Sequence, residues 1–481
     1  MSVLADLKGL DRSQKSAVIA SFLGWSLDAF DFFLMVFMFK AIAADFHTDV
    51  KAVALASVLT LAARPFGAFV FGLFADRYGR RPVLMVDILL YSVIEFASAF
   101  APSLSVLLIL RAVFGFAMGG EWGVGASLTM ESVPPKLRGL VSGFLQEGYA
   151  FGYLIAAGVY ALLFDLIGWR GMFMVGVIPA LLVVLIRMHV KESPAFEAHR
   201  DAAPRRNPLM LWGAGLIALA VGVGPALLGP IGREDVAALF GGLGQWPALK
   251  AVVGALTPQE LWIYFIDVPI GLVALFVLFR KQWKMALYAV LLMTAFNFFS
   301  HGTQDLYPTF LQVQLKLDTR TVGLITAIMN CGAILGGLAF GAWSERVGRK
   351  IAIITAAVLS LPIIWLWAYS HTLVTLALGA FAMQVMVQGA WGVIPVHLNE
   401  LSPNLSRGLF PGFVYQLGNL LASGNAVIQA RVAESRHDNY SFALAVIAGL
   451  FAVVIAILTV VGPERRGKAF VETADSRAEA G

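Results

Sequence analysis

Cysteine and charge are what this 481-residue chain lacks. It has one cysteine, Cys331, and only 14% charged residues. One thiol cannot close an internal disulfide, which excludes a disulfide scaffold; Cys331 lies in an apolar stretch, where a packing role is expected. Soluble domains carry about 25% charged residues. Here 59% of residues are hydrophobic, so most of the surface is expected to face lipid. The chain also lacks a G-x-x-x-x-G-K-[S/T] loop, a nucleophile–base pair and a metal-ligating cluster. An ATP-driven pump, an enzyme and a metal or cofactor site are therefore not expected. The net charge of +5 is spread over short loops, so nucleic acid is not an expected partner.

What the chain does have is fourteen apolar stretches, near 17–40, 52–75, 83–102, 104–130, 140–164 and 170–189, then 209–230 and 262–279, then 285–309, 321–342, 350–370, 373–398, 409–431 and 441–461. A membrane helix needs about 20 such residues. Backbone groups in lipid must bond within their own segment, so continuous runs predict helices; a barrel would need alternation. The positive charges cluster in loops, among them Arg77, Arg80 and Arg81, Lys136 and Arg138, Arg205 and Arg206, Arg280 and Lys281, Arg346, Arg349 and Lys350, and Arg465 and Arg466. With fourteen spans all these loops fall on the side of both termini, which the positive-inside rule makes cytoplasmic. Twelve spans would keep that sidedness, but the length and apolarity of Leu211–Leu228 and Leu261–Phe279 favour fourteen. The first 16 residues are polar and no cleaved leader is expected.

The chain is also duplicated. Gly72-Leu-Phe-Ala-Asp76-Arg77-Tyr-Gly79-Arg80-Arg81 recurs 269 residues later as Gly341-Ala-Trp-Ser-Glu345-Arg346-Val-Gly348-Arg349-Lys350. Gly120-Glu121-Trp122-Gly123 with Glu131, Pro134 and Arg138-Gly139 recurs at the same offset as Gly389-Ala-Trp391-Gly392 with Glu400, Pro403 and Arg407-Gly408. One offset for two motifs means two homologous halves, a plan typical of transporters. The expected organisation is a six-helix bundle over 1–190, a linker with two extra helices over 191–284, a second six-helix bundle over 285–462, and a charged, disordered tail over 463–481.

Asp76-Arg77-Tyr-Gly79-Arg80-Arg81 lies where the second span ends. A carboxylate and three arginines in a tight turn can clamp neighbouring helix ends by charge-assisted hydrogen bonds. Here the chain resembles the major facilitator superfamily, whose loop between helices two and three carries this pattern; Arg111 with Gly115 and Gly119 looks like its fourth-helix motif. The resemblance implies an all-α membrane fold of two six-helix bundles around a central cavity, working by alternating access. It assigns the gating role to Gly72, Asp76, Arg77, Gly79, Arg80 and Arg81, with Glu345, Arg346, Gly348 and Arg349 in the second half.

Charges inside spans cost roughly 2.5–3.5 kcal/mol each, so they call for a purpose. Asp28, Asp31, Arg64, Glu95, Glu121, Glu147, His301 and Asp305 fall within spans. The densest cluster is Asn297-Phe-Phe-Ser300-His301-Gly-Thr-Gln304-Asp305. At about 100° per residue, Asn297, Ser300, His301, Gln304 and Asp305 share an arc of about 140°. His301 and Asp305 are one turn apart and can touch, and a histidine that titrates near neutrality suits proton coupling. A purely geometric role for the pair is the alternative. Asn297 and Ser300 are the repeat equivalents of Asp28 and Asp31, so two polar clusters are expected to face each other across the cavity. Two close carboxylates repel unless one keeps its proton, which suits proton coupling; pairing with an arginine is the alternative. Arg64 lies 12 residues before Asp76, about 18 Å above the turn. Its guanidinium fits a carboxylate substrate, or a salt bridge to Asp28, Asp31 or Glu95. Glu121 is expected to pair with Arg111 or to join proton coupling, with Glu147 a weaker candidate. Gln388 and Gln416, with Gln384, Trp391 and Asn419, are expected to line the second bundle's side, although helix–helix bonding is commoner for such residues.

The 297–309 stretch also resembles the N-x-x-[S/T]-H-x-[S/T]-Q-D-x-x-x-T signature of lactate/pyruvate–proton symporters in the sialate–proton symporter family. The resemblance implies that Asn297, His301, Gln304 and Asp305 handle carboxylate and proton, while the extra helix pair is similar to that of bacterial sialic acid transporters. The expected function is proton-coupled import of a small carboxylate of the lactate or pyruvate type by a monomer in an inner membrane, in contact only with substrate, protons and lipid. A sialic acid–proton symporter is the first rival. A sugar or aromatic-acid carrier is the second, suggested by Lys191-Glu-Ser-Pro and Pro463-Glu-Arg-Arg-Gly.

Overall fold

The computed structural model describes residues 9–188, 190–199, 208–227 and 258–470, and its described residues contain helices and no strand. The first half comprises α1 (Arg12–Phe37), α2 (Val50–Tyr78), α3 (Arg80–Ser98), α4 (Leu104–Met118), α5 (Glu121–Ser132), α6 (Arg138–Gln146) and α7 (Gly148–Arg187). Between the halves lie α8 (Pro208–Leu227) and α9 (Val268–Leu278). The second half comprises α10 (Trp283–Gln304), α11 (Thr319–Val347), α12 (Arg349–Ala368), α13 (Leu373–Gly392), α14 (Ile394–Leu401), α15 (Phe410–Ala422), α16 (Asn425–Glu434) and α17 (Tyr440–Val461).

The repeat is visible in backbone detail. Asp49 and Asp318, 269 apart, cap the starts of α2 and α11 through their side chains. Ser103 and Thr372, at the same offset, cap α4 and α13. Each cap satisfies helix N–H groups that would otherwise be orphaned. Gly79 and Gly348 carry φ of 108° and 101°, a region that side chains disfavour, and so turn α2 into α3 and α11 into α12 alike.

Helical residues occupy all fourteen predicted stretches, yet only nine helices among the described residues are long and apolar enough to cross a membrane. The physical reasons are specific. The fifth and sixth stretches join in one helical run, α7 being kinked at Gly168 with φ 63°. Asp87 and Glu95 make α3 more polar, and the stretch near 409–431 is broken between α15 and α16. The helices at Trp212–Leu227 and Ile263–Leu278 are apolar but short. Within the expected linker loop, residues 228–257 lie outside the described residues, as do Arg205, Arg206 and the tail from 471.

Two expectations are corrected. The tail is ordered as far as Phe470, which is buried and joins the main core, because its backbone finds fixed partners: Gly467 N donates to Glu400 and Arg407 donates to the Phe470 carbonyl. Cys331 is exposed on α11 and takes no part in core packing.

Candidate functional site

A central cavity of about 500 Å³ lies between the halves. Its first-half wall is largely aromatic, with Trp25, Phe32, Phe33 and Phe37 of α1 and Tyr149 and Tyr153 of α7. These rings hold one another: Phe33 meets Tyr149 and Tyr153 edge-on at 5.3 and 4.7 Å. Such edge-to-face pairs stiffen a wall beyond what area alone does. The second-half wall carries the polar stripe of α10, namely Asn297, Ser300, His301, Gln304 and Asp305, together with Gln384, Gln388, Trp391, Tyr415 and Asn419.

The helical spacing explains the stripe. His301 Nδ1 lies 3.3 Å from Asp305 Oδ1, with the two side chains 31% and 40% exposed. Gln304 donates to Ser300 Oγ at 3.2 Å and to Gln384 Oε1 at 3.1 Å. Asn297 lines the cavity but spends its amide on the Met293 carbonyl. Arg64 reaches the same cavity from α2. Its helix packs against α4 so tightly that a β-carbon at Gly119 would collide with the Arg64 carbonyl. The guanidinium is 3% exposed and sits 3.6 Å from Asp28 Oδ2, an ion pair too long for a good hydrogen bond. Its Nε has no hydrogen-bond partner. A loosely held cation on a cavity wall has bonding capacity left for an anion.

Several expected site residues do not line the cavity. Asp28 and Asp31 are buried inside the first half, because α1 turns its aromatic residues to the cavity and its acids inward. Asp28 meets Arg64, while Asp31 and Glu95 converge on Gly176. The facing polar clusters predicted from the repeat are therefore absent on the first-half side. Glu121 is buried and does not line the cavity, and Arg111 pairs with Glu95 at 2.7 Å. Gln416 is buried behind the wall and accepts from Asn419.

Sequence reasoning missed the aromatic wall and underrated Glu147, which lines the cavity. The spacing of Tyr149 and Tyr153, one helical turn apart on the helix that follows Glu147, was the available signal.

One end of the cavity is closed by the duplicated motifs. Asp76 accepts from Gly408 N at 2.8 Å and Leu409 N at 3.2 Å, while its repeat equivalent Glu345 accepts from Gly139 N. Each carboxylate thus caps a helix start in the opposite half, where anions are favoured. Gly72 abuts Leu409 across the same interface. Arg80 bridges Asp76 and Glu131, at 3.3 and 3.1 Å. Arg349 bridges Glu345 and Glu400, at 2.8 and 3.0 Å. The N–H groups of Arg80 and Arg81 are capped by Glu192; Arg77 is half-buried and Arg346 exposed. The Phe470 ring lies between Arg138 and Arg407, 3.6 and 4.2 Å from their guanidinium carbons. Burial beside Arg407 and Arg465 pushes the Lys468 ammonium down to about 8.

Comparison with known proteins agrees with this architecture. The family model for sugar (and other) transporters matches residues 16–208 and 271–466. A carboxylic acid transporter protein homolog of Saccharomyces cerevisiae is 27% identical over 91% of this chain, which spans 64% of that protein. The sialic acid transporter NanX of Escherichia coli is 26% identical over 85% of each chain. Among solved structures, the major facilitator superfamily proton:xylose symporter XylE superposes with a TM-score of 0.69 at 18% identity, covering 96% of this chain and 98% of its own; this likeness concerns the fold. Its relatives are transporters, and the chain is a multi-pass membrane transporter and not an enzyme. With both halves matched and the two-bundle fold in place, the chain belongs to the sugar (and other) transporter family, of the major facilitator fold.

Proposed function

We propose that this protein is a proton-coupled carboxylate symporter working by alternating access. One observation carries the reading: a single cavity between the halves bears a guanidinium from the first, Arg64, and a protonatable pair from the second, His301 and Asp305. A carboxylate substrate takes up the unused hydrogen-bonding capacity of Arg64, and Gln304 and Gln388 orient it. A proton taken up with the anion lowers the cost of enclosing charge in a low-dielectric site, which is the physical reason for symport. The motif end then parts and both leave down the proton gradient. The relatives named for carboxylic and sialic acids support an acidic substrate.

In this reading the chain sits in an inner membrane with both termini cytoplasmic, makes fourteen crossings by counting α8 and α9, and acts as a monomer. Asp28 and Asp31 tune the proton site from behind the wall, with Glu121 beside them in the same half. The motif residues from Gly72 to Arg81 and from Glu345 to Arg349 form the cytoplasmic gate.

Substrates of the lactate or pyruvate type fit the α10 stripe. A larger ring-bearing acid such as sialic acid is a second reading, favoured by the aromatic wall and by a volume within the range of about 300–1,000 Å³ usual for ligand sites. Uptake of labelled lactate, pyruvate and sialic acid into proteoliposomes, with and without an inward proton gradient, separates them. Gradient-driven accumulation of one acid is expected, and His301→Ala or Asp305→Asn should abolish it; unchanged accumulation in both variants removes the pair from the mechanism.

A further inference from the structure

Glu147 belongs to neither the duplicated motifs nor the α10 stripe, yet its setting is distinctive. It occupies the break between α6 and α7, lines the central cavity and is only 4% exposed. Its Oε1 is buried with no hydrogen-bond partner, and among the described residues no cation is paired with its carboxyl group. Asp28, Glu95 and Asp305, by contrast, each sit beside an arginine or a histidine.

What faces Glu147 is the other half of the molecule. A β-carbon at Gly337 of α11 would overlap Glu147 Oε1. On the same interface Gly143 packs against the Gly337 carbonyl, and Gly139 against that of Gly341. This backbone-to-backbone contact of α6 with α11 joins the two halves on the side of the closed motif end, so it must part when that end opens.

An ionised carboxylate held this far from water and from any cation costs several kcal/mol. The neutral acid costs far less, so with the halves closed Glu147 carries a proton. Parting α6 from α11 removes Gly337 and admits water, and the ionised form becomes tolerable. The charged and titratable groups on the same cavity are Arg64 of α2, Tyr149 and Tyr153 of α7, His301 and Asp305 of α10, and Tyr415 of α15. The cavity-lining residues of α11 and α13 are uncharged.

We infer that Glu147 is the site that carries the coupled proton through the closed state, and that separation of α6 from Gly337 releases it. This rests on the symport reading above: His301 and Asp305, more exposed, load the proton, and Glu147 holds it while the cavity changes sides.

The test uses the full-length protein in proteoliposomes with labelled pyruvate and labelled sialic acid as probes. Glu147→Gln mimics the permanently protonated acid. It should still exchange substrate, lose accumulation driven by a proton gradient, and flatten the pH dependence of exchange. If the glutamine variant fails in exchange too, Glu147→Asp decides: recovery of gradient-driven uptake supports the assignment, and no recovery overturns it. Gradient-driven accumulation by wild type and Glu147→Gln alike overturns the role of Glu147 alone. A wild type that accumulates neither acid with the gradient overturns the symport reading itself, and this assignment with it.

Discussion

At their motif ends the two halves are near copies, with matching caps, matching positive-φ glycines and carboxylates that reach crosswise into the opposite half. Midway through the molecule they diverge. The repeat equivalents of Arg64, Glu95, Arg111, Glu121 and Glu147 are Ala333, Ile364, Ala380, Ala390 and Gln416. His301 and Asp305 of the second half answer to Phe32 and Val36 of the first. The difference teaches a division of labour. Symmetry is retained where the halves must clasp and part in the same way, and given up where the chemistry is done. The first half buries fixed charge behind an aromatic wall; the second offers a polar face with one accessible titratable pair.

Breaking that division should have graded consequences. The largest is expected for Arg64→Ala, which removes the cavity's cation and strands Asp28. Losing one partner of a buried charge pair costs about 2–5 kcal/mol in binding, so substrate affinity should fall on the order of a hundredfold by substrate-induced tryptophan fluorescence; retained affinity would assign Arg64 to structure. Next comes Arg111→Ala. Its partner Glu95 is buried at 2.7 Å, and breaking such a pair costs about 3–5 kcal/mol of stability. A large drop in melting temperature with unchanged order of preference among acids is expected, and altered selectivity would place this pair in the substrate path. The smallest effect is expected at the seal. Phe470→Ala removes a ring between two repeat-equivalent arginines, contacts worth about 0.5–2 kcal/mol each. Labelling of a cysteine introduced at Ser142, on the closed interface, should become several-fold faster at that energy; unchanged labelling would mean that the ring does not hold the end shut.

Much of this is legible in the sequence. The offset of 269 gave the two halves because duplicated motifs survive in residue identity. The α10 stripe was legible because helical periodicity alone puts Asn297, His301, Gln304 and Asp305 on one face. Pairing across the bundle was not legible: the packing of α3 against α4 brings Arg111 to Glu95 at 2.7 Å. The inward turn of Asp28 and Asp31 escaped for a related reason. Equivalent positions in a repeat share a backbone site, but the aromatic residues of α1 decide which face meets the cavity. Glu147 was obscured because an acid with no partner leaves no pattern in sequence. The order of the tail at Phe470 depends on Arg138 in the first half and on Arg407, 63 residues before it, and composition alone reads such a charged end as disordered.

The most direct test of the account is to record proton movement and acid uptake together, with a pH-sensitive dye outside proteoliposomes that contain the full-length protein. Adding the transported acid to wild-type vesicles without an imposed gradient should alkalinise the medium in step with uptake, as protons enter with the anion. Uptake of the acid with no change in external pH would contradict it.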